Sequence, residues 1–336
     1  MGTAWNVYDG NKMSSGAMYG RTLAELAAKD PRIVGVTADL AKSTNIGLLG
    51  EAFPDRLFNV GIAEQNLFGV AAGLAKVGFI PFASTFAIFA CLRGGEQIRT
   101  DCAYQKLPVK VIATHGGVSF GAAGSTHHCI EDFAIMRAIP NMTVVIPADA
   151  YETAIAVKQC IDVPGPFYLR VGRGMEPLLH ESEDDQWCKD FKIGKAMKLK
   201  DGGDVTIIAC GVPTRDAYIA GDMLEEQGVS AQVINMHTLK PIDEEAIIEA
   251  AVKTRRIVTV EEHNVIGGLG DAVASVLAQS GKRCILTKIG IPDEFGPIGK
   301  PEDLYAKYKL SSQGIMETVM EIMGKEIEED DWSDED

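Results

Sequence analysis

The sequence predicts an α/β protein of two doubly wound domains with mostly parallel sheets. Two observations carry this prediction: short, continuously apolar runs rich in β-branched residues, and amphipathic helical patterns between them. Strands buried on both faces of a parallel sheet read as such unbroken runs. Their alternation with helices is the pattern of doubly wound sheets. A third observation divides the chain. The stretch Gly172–Asp190 has little periodicity and contains Gly174, Pro177 and the acids Glu181, Glu183, Asp184 and Asp185. It separates one domain of residues 12–175 from another of residues 190–325.

In order, the expected strands are Ile33–Thr37, Val109–Thr114, Thr143–Ile146 and Phe167–Val171, then Val205–Cys210, Ala231–Ile234, Arg256–Val260 and Cys284–Ile289. Ahead of the first, Met18, Thr22, Leu23, Leu26 and Ala27 share a helical face, with Ser14 or Ser15 as N-cap. Leu67, Val70, Ala71 and Leu74 form a second such face. Pro241 and Asp243 open a further helix, with Ala246, Ile247 and Ala250 inward. His263 and the turn Gly267–Gly270 read as packing and a helix start, since GGLG lacks the full GxGxxG spacing of a dinucleotide site. No GxxxxGK[ST] occurs, which excludes a phosphate-cradling P-loop.

Composition narrows the function. With 46% hydrophobic and 24% charged residues, the chain has the balance of a soluble globular protein. It contains no apolar run of membrane-span length, and its first residues lack a signal peptide's layout, so a cytoplasmic location is expected. Seven scattered cysteines without a CxxC pair argue against a zinc site or disulfide framework and fit a reducing compartment. A net charge of -15 disfavours nucleic acid, whose phosphates would be repelled. Part of that charge is local: residues 326–336 hold eight acids and no base, and read as an acidic disordered tail.

Ligands of an open parallel sheet gather at the carboxyl ends of its strands. Asp39, His115 and Arg170 fall at three such ends. Any one alone would be an ordinary surface residue, but the set favours a site. The segment Phe58–Asn66 runs from a short apolar stretch through Gly61 into a helix with Glu64 in its first turn. Taken alone, Glu64 would simply complement the helix dipole. Gly69, Ala72 and Gly73 on the following helix leave small surfaces for close packing, so the pattern reads as a subunit contact with a buried acid able to share a proton. Phe86 and Phe89, three apart on one helical face, read alone as core. The loop Gly116–Gly124, followed by His127 and His128, lacks metal-ligand spacing.

FNVGIAEQ (58–65), PFASTFAIFA (81–90), ATHGGVSFGAAGSTHH (113–128), MTVVIPAD (142–149) and FYLRVGRG (167–174) together resemble the second half of transketolase. The match continues through GDVTIIACGVPT (203–214), VINMHTLKPID (233–243) and VEEHNVIGGLGDAV (260–273), in collinear order from about Tyr19 to Met323. The resemblance implies a pyrimidine-binding thiamine-diphosphate fold followed by a transketolase C-terminal domain. It implies that Glu64 hydrogen-bonds the pyrimidine of thiamine diphosphate as the catalytic acid, and that Phe86, Phe89 and Leu92 wall that ring. Asp39 would lie near the cofactor at the subunit interface. Arg21, Ser43, His115 and Arg170 would hold a sugar phosphate, and His127 its hydroxyls. The implied reaction moves a two-carbon ketol unit from a ketose phosphate to an aldose phosphate, the cofactor carrying the carbanion chemistry.

One departure concerns substrate choice. Where the family's loop commonly reads GEDGPTH, this chain has Gly121–His127 with Ala123 in place of an aspartate that reads hydroxyl configuration, which should change the preferred ketose. The GDG…N segment that holds the metal and diphosphate in such enzymes is absent from this sequence. The resemblance therefore implies a partner subunit carrying the diphosphate-binding domain and a Mg2+ or Ca2+ ion, in an assembly of two plus two. Two alternatives stand beside this: a β subunit of a 2-oxoacid dehydrogenase or a deoxyxylulose-phosphate synthase-like enzyme, and a catalytically silent regulatory subunit.

Overall fold

Seven strands form the first sheet, in the spatial order Thr238–Lys240, Thr143–Val145, Phe167–Arg170, Lys110–Thr114, Ile80–Phe86, Ile33–Thr37 and Leu57–Asn59. A computed structural model describes residues 8–9 and 11–324; the expected acidic tail lies outside them. All neighbours in this sheet are parallel except the first pair. The second sheet runs Met197–Lys200, Ala231–Asn235, Val205–Ala209, Arg256–Asn264 and Ile285–Ile291, with only its first pair antiparallel. A small antiparallel sheet joins Tyr8–Asp9, Lys12–Met13 and Glu176–Pro177.

The central strands are apolar because both their faces are covered. Every residue of Ile33–Thr37 and of Ile80–Phe86 is buried. The second of these was not expected as a strand, since Pro81, Ser84 and Thr85 interrupt its apolar run. Ser84 is satisfied inside: its hydroxyl pairs with that of Tyr19 at 2.6 Å. Tyr19 belongs to the helix Ser15–Lys29, capped by Ser14, whose Oγ accepts from the Ala17 amide at 3.1 Å. The helix expected to open at Pro241 runs Glu244–Thr254 with Asp243 as its cap, so Pro241 lies ahead of it. The glycine turn starts the helix Leu269–Ser280, whose first amides donate to the buried Glu261 carboxylate at 2.6 and 2.8 Å. A Cβ on Gly268 would lie 1.9 Å from that carboxylate, so only glycine fits there.

Among the links that join the halves of the chain, two stand near the sheet ends. Thr238–Lys240 follows the linker in sequence yet pairs with Thr143–Val145 in the first sheet. Lys240 Nζ then donates to the Arg137 and Ile139 carbonyls at 2.9 and 2.6 Å. The second tie is ionic and aromatic. Arg170, only 5% exposed, sends Nη2 to the Glu262 carbonyl at 2.9 Å and to its carboxylate at 3.7 Å, with Nε 3.5 Å from Asp132. Tyr168 donates to the same Asp132 at 2.7 Å. The Phe133 ring lies between the Arg170 guanidinium, 4.5 Å away, and the His263 ring, also 4.5 Å away and nearly parallel.

Candidate active site

At the carboxyl ends of the first sheet, Asp39 and His115 each sit just past a strand with φ of 61°, the left-handed conformation that non-glycine residues seldom adopt outside turns and functional sites. Asn59 holds the Asp39 turn. Its Oδ1 accepts from the Asp39 and Gly61 amides at 3.0 Å, and its Nδ2 donates to the Asp39 carboxylate at 3.1 Å. Gly61, with φ of 74°, then turns the chain into the helix Glu64–Lys76.

Glu64 is the first residue of that helix and is 6% exposed. The Ala63 cap supplies no side-chain acceptor, leaving the helix's positive end to the Glu64 carboxylate. Arg93 Nη1 donates to Glu64 Oε1 at 3.1 Å, and the same guanidinium lies 4.0 Å over the Phe89 ring. Phe89 stacks on Phe86 at 5.6 Å, and Phe86 meets the His115 ring at 3.9 Å. Phe120 and His127 close the cluster, 5.5 Å apart, with His127 also 5.5 Å from Phe89. Phe86 is the last strand residue and caps the helix Ala87–Leu92, so the pair does not share one helical face; the stack forms across the strand–helix corner. Leu92 ends that helix 60% exposed, and Ile62, two residues before Glu64, is 77% exposed.

A cleft of about 450 Å³ opens beside the aromatic wall, lined among others by Lys42, Ser43, Phe86, His115, Phe120 and Arg173. The structure thus brings Ser43, His115 and Phe86 onto one cavity, with Phe89 and His127 packed behind them. Arg21 lies exposed on the first helix and outside this lining. Arg170 corrects the sequence reading: its side chain turns away from the cleft into the tie described above. Strand geometry explains the error, because a residue inside the strand is committed to one face of the sheet, whereas Arg173, between Gly172 and Gly174, lies beyond the strand's end. Arg173 stacks 4.6 Å over Phe120. Its signal is present in the string Arg-Val-Gly-Arg-Gly, of which the second arginine, not the first, reaches the cleft. Arg93, Asn59 and Phe120 also belong to the site, and no short-range pattern marks them.

Burial sets the protonation of His115, His237 and His263. His115 is pushed down to about 3, first by burial and then by the charges of Arg173 and His127, so its ring is neutral near pH 7 and can both accept and donate. Burial likewise lowers His237 to about 3 and His263 to about 4. Below the ordinary value of 6.5 the unfolded chain takes up protons that the folded one refuses, so these three weaken the fold as pH drops. Glu176 and Glu261 act in the opposite sense. Burial lifts each from 4.5 to about 7, so the fold holds protons there that the unfolded chain releases. Between 4.5 and 6.5 the two groups largely offset each other; below 4.5 the histidine loss continues, joined by that of the Asp30, Asp201, Asp271 and Glu294 carboxylates, which the fold holds low. Thermal melts are expected to stay nearly level from about pH 5 to 7 and to fall steeply below about 4.5. A melting temperature at pH 4 equal to that at pH 6 would contradict this.

The family description "Transketolase, pyrimidine binding domain" matches residues 11–177, and "Transketolase, C-terminal domain" matches residues 194–315. The class these define is the α/β pair of domains that forms the second half of a transketolase. The chain belongs to the transketolase family and corresponds to the C-terminal subunit of a split transketolase. A Methanocaldococcus jannaschii protein, provisionally named a transketolase C-terminal section, is 46% identical over 92% of this chain and 96% of its own length. A subunit of the apulose-4-phosphate transketolase of Phocaeicola vulgatus is 42% identical over 90% of this chain and 96% of its own. A solved structure described as a split gene transketolase, inactive beta4 tetramer, superposes with a TM-score of 0.83 at 46% identity, covering 92% of this chain and 97% of that one.

The family depends on thiamine diphosphate, and the residues present suit its aminopyrimidine end: a buried carboxylate at a helix start, one side chain away from a flat aromatic wall. Among the described residues, no group of three or more His, Cys, Asp or Glu is placed to hold a metal ion. No helix among them is long and apolar enough to cross a membrane.

Proposed function

We propose that this chain is the pyrimidine-binding subunit of a thiamine-diphosphate transketolase that moves a two-carbon ketol unit from a ketose phosphate to an aldose phosphate. The observation that carries the reading is the buried Glu64 carboxylate, linked through Arg93 to the Phe86–Phe89 stack. When bound, the cofactor supplies the nucleophilic carbon and stores the electrons of the cleaved bond. Glu64 exchanges a proton with the pyrimidine through Oε2, Oε1 being held by Arg93. Phe86, Phe89 and Leu92 would flank the ring, with Asp39 in the turn that Asn59 holds beside it. His115, neutral and fixed against Phe86, exchanges hydrogen bonds with the donor sugar, assisted by His127 and Ser43. With Ala123 where the family commonly has an aspartate, one acceptor is missing and a donor with a different hydroxyl pattern is expected, consonant with a relative named for apulose 4-phosphate.

The metal and the diphosphate would be held by a partner subunit, in a two-plus-two assembly. Gly69 and Gly73 on the helix that starts at Glu64 have nothing within 4 Å of an added Cβ, so this face is open to close approach by another chain. A relative built from such chains alone is described as inactive. The test is a coupled-enzyme assay of the chain alone, then mixed with the diphosphate-binding partner, thiamine diphosphate and Mg2+. Transfer from a ketose phosphate is expected only in the mixture. Release of CO2 from pyruvate in place of ketol transfer would overturn the reading, and so would full turnover by the lone chain.

A further inference from the structure

Resting on the ketol-transfer reading, we propose that the second domain sets which sugar the cleft accepts by propping the substrate loop from outside, with Ser125 as the positioning residue that joins loop to prop. The loop runs from Gly116 to Cys129 and carries Phe120 and His127 of the aromatic cluster, with Ala123 between them. Gly116, Gly117, Gly121 and Gly124 leave its backbone little stiffness of its own. Its shape is therefore imposed by what it leans on, and that is the other half of the chain.

At the neck, Gly117 and Cys129 exchange backbone hydrogen bonds at 2.9 and 2.8 Å, and the buried Glu262 Oε1 accepts from the Val118 amide at 2.9 Å. These ties use only backbone groups of the loop, so they do not depend on its side chains. The tip rests on the segment 292–300 of the second domain. Ser125 Oγ donates to the Gly296 carbonyl at 2.8 Å, and the Gly299 amide donates to the Gly121 carbonyl at 3.4 Å. The approach is close: a Cβ on Gly121 would lie 2.2 Å from the Gly299 oxygen, and one on Gly124 2.7 Å from Ile298. The prop is itself braced, since Glu294 Oε1 accepts from Lys307 at 2.8 Å and from Tyr308 at 3.3 Å.

The tie at Ser125 is particular to this loop. Where the family pattern GEDGPTH has proline, which has no hydroxyl to donate, this chain has Ser125. The same loop carries Ala123 in place of the aspartate, so its reading of the sugar falls on His127. Ser125 lies two residues before His127, in the turn where the His127 and His128 amides both donate to the Gly124 carbonyl, at 2.9 and 3.0 Å. Fixing that turn fixes His127, and a small displacement of a positioning group is felt in which substrate is oriented well.

The experiment uses the full chain assembled with its partner and compares the parent with Ser125→Ala and Ser125→Thr. Kinetics are measured with fructose 6-phosphate and tagatose 6-phosphate, donors that differ only in the configuration of the C4 hydroxyl. Hydrogen exchange is followed by mass spectrometry over residues 118–128. The Ala form is expected to lose about 3- to 10-fold of the parent's preference between the donors, in KM rather than kcat, and to exchange faster in the loop. The Thr form keeps the hydroxyl and should restore both. An unchanged preference in the Ala form, or a fall in kcat shared equally by both donors, overturns the proposal even if ketol transfer is intact. If the parent assembly moves no ketol unit from any ketose phosphate, the function assigned above falls, and exchange alone decides the prop: faster exchange in the Ala form upholds it, and exchange equal to the parent's overturns it.

Discussion

Replacing Glu64 by Gln in the assembled enzyme should lower kcat by about 10²- to 10⁴-fold, the range for loss of a positioned proton-transfer group. Gln keeps the side chain's length and can still accept from Arg93 through its carbonyl, so the helix start and the Glu64–Arg93 contact survive. What disappears is a group able to take and return a proton at the pyrimidine. The unfolding midpoint of the variant should stay close to the parent's, which separates a chemical defect from a folding one. Steady-state kinetics with a ketose phosphate donor measures it. Turnover within a few-fold of the parent would remove Glu64 from the chemistry, and the proposed reaction with it.

Replacing Arg170 by Met should cost about 3–5 kcal/mol, the usual effect of removing one partner from a buried ionic cluster. Asp132 and Glu262 would be left facing each other without a counter-charge, and the Phe133 ring would lose its guanidinium cover. Burial works against the charge on Arg170, but the Asp132 and Glu262 carboxylates more than offset it and hold the guanidinium firmly protonated. Urea denaturation, read by fluorescence, should show the midpoint moving well below the parent's. If Arg170→Met were as stable as the parent and impaired only in KM for sugar phosphate, the guanidinium would belong at the substrate after all.

The parallel core was legible in the chain because burial on both faces demands unbroken apolar runs, as at Ile33–Thr37 and Phe167–Arg170. Ile80–Phe86 escaped because its Ser84 is matched by a hydroxyl 65 positions away, and no local pattern reveals such a partner. His115 could be placed at a strand end and Glu64 at a helix start from the sequence, whereas Phe86 taken alone read as core. Their mutual placement was not legible, since it depends on Arg93 and Phe120 reaching across from other elements. Arg170 was misjudged for a related reason: periodicity locates a residue on a strand, whereas the face it serves is decided by Asp132 and Glu262, far away in sequence.

The arm Thr238–Lys240 has a bearing on how the molecule is made. Its pairing with Thr143–Val145 joins segments roughly 90 residues apart, a costly loop to close before any contact rewards it. During synthesis the nascent first sheet must wait, with a bare strand margin showing its amides and carbonyls, until residue 240 has left the ribosome. Completion of the first sheet is thus timed by the part of the chain that follows the linker.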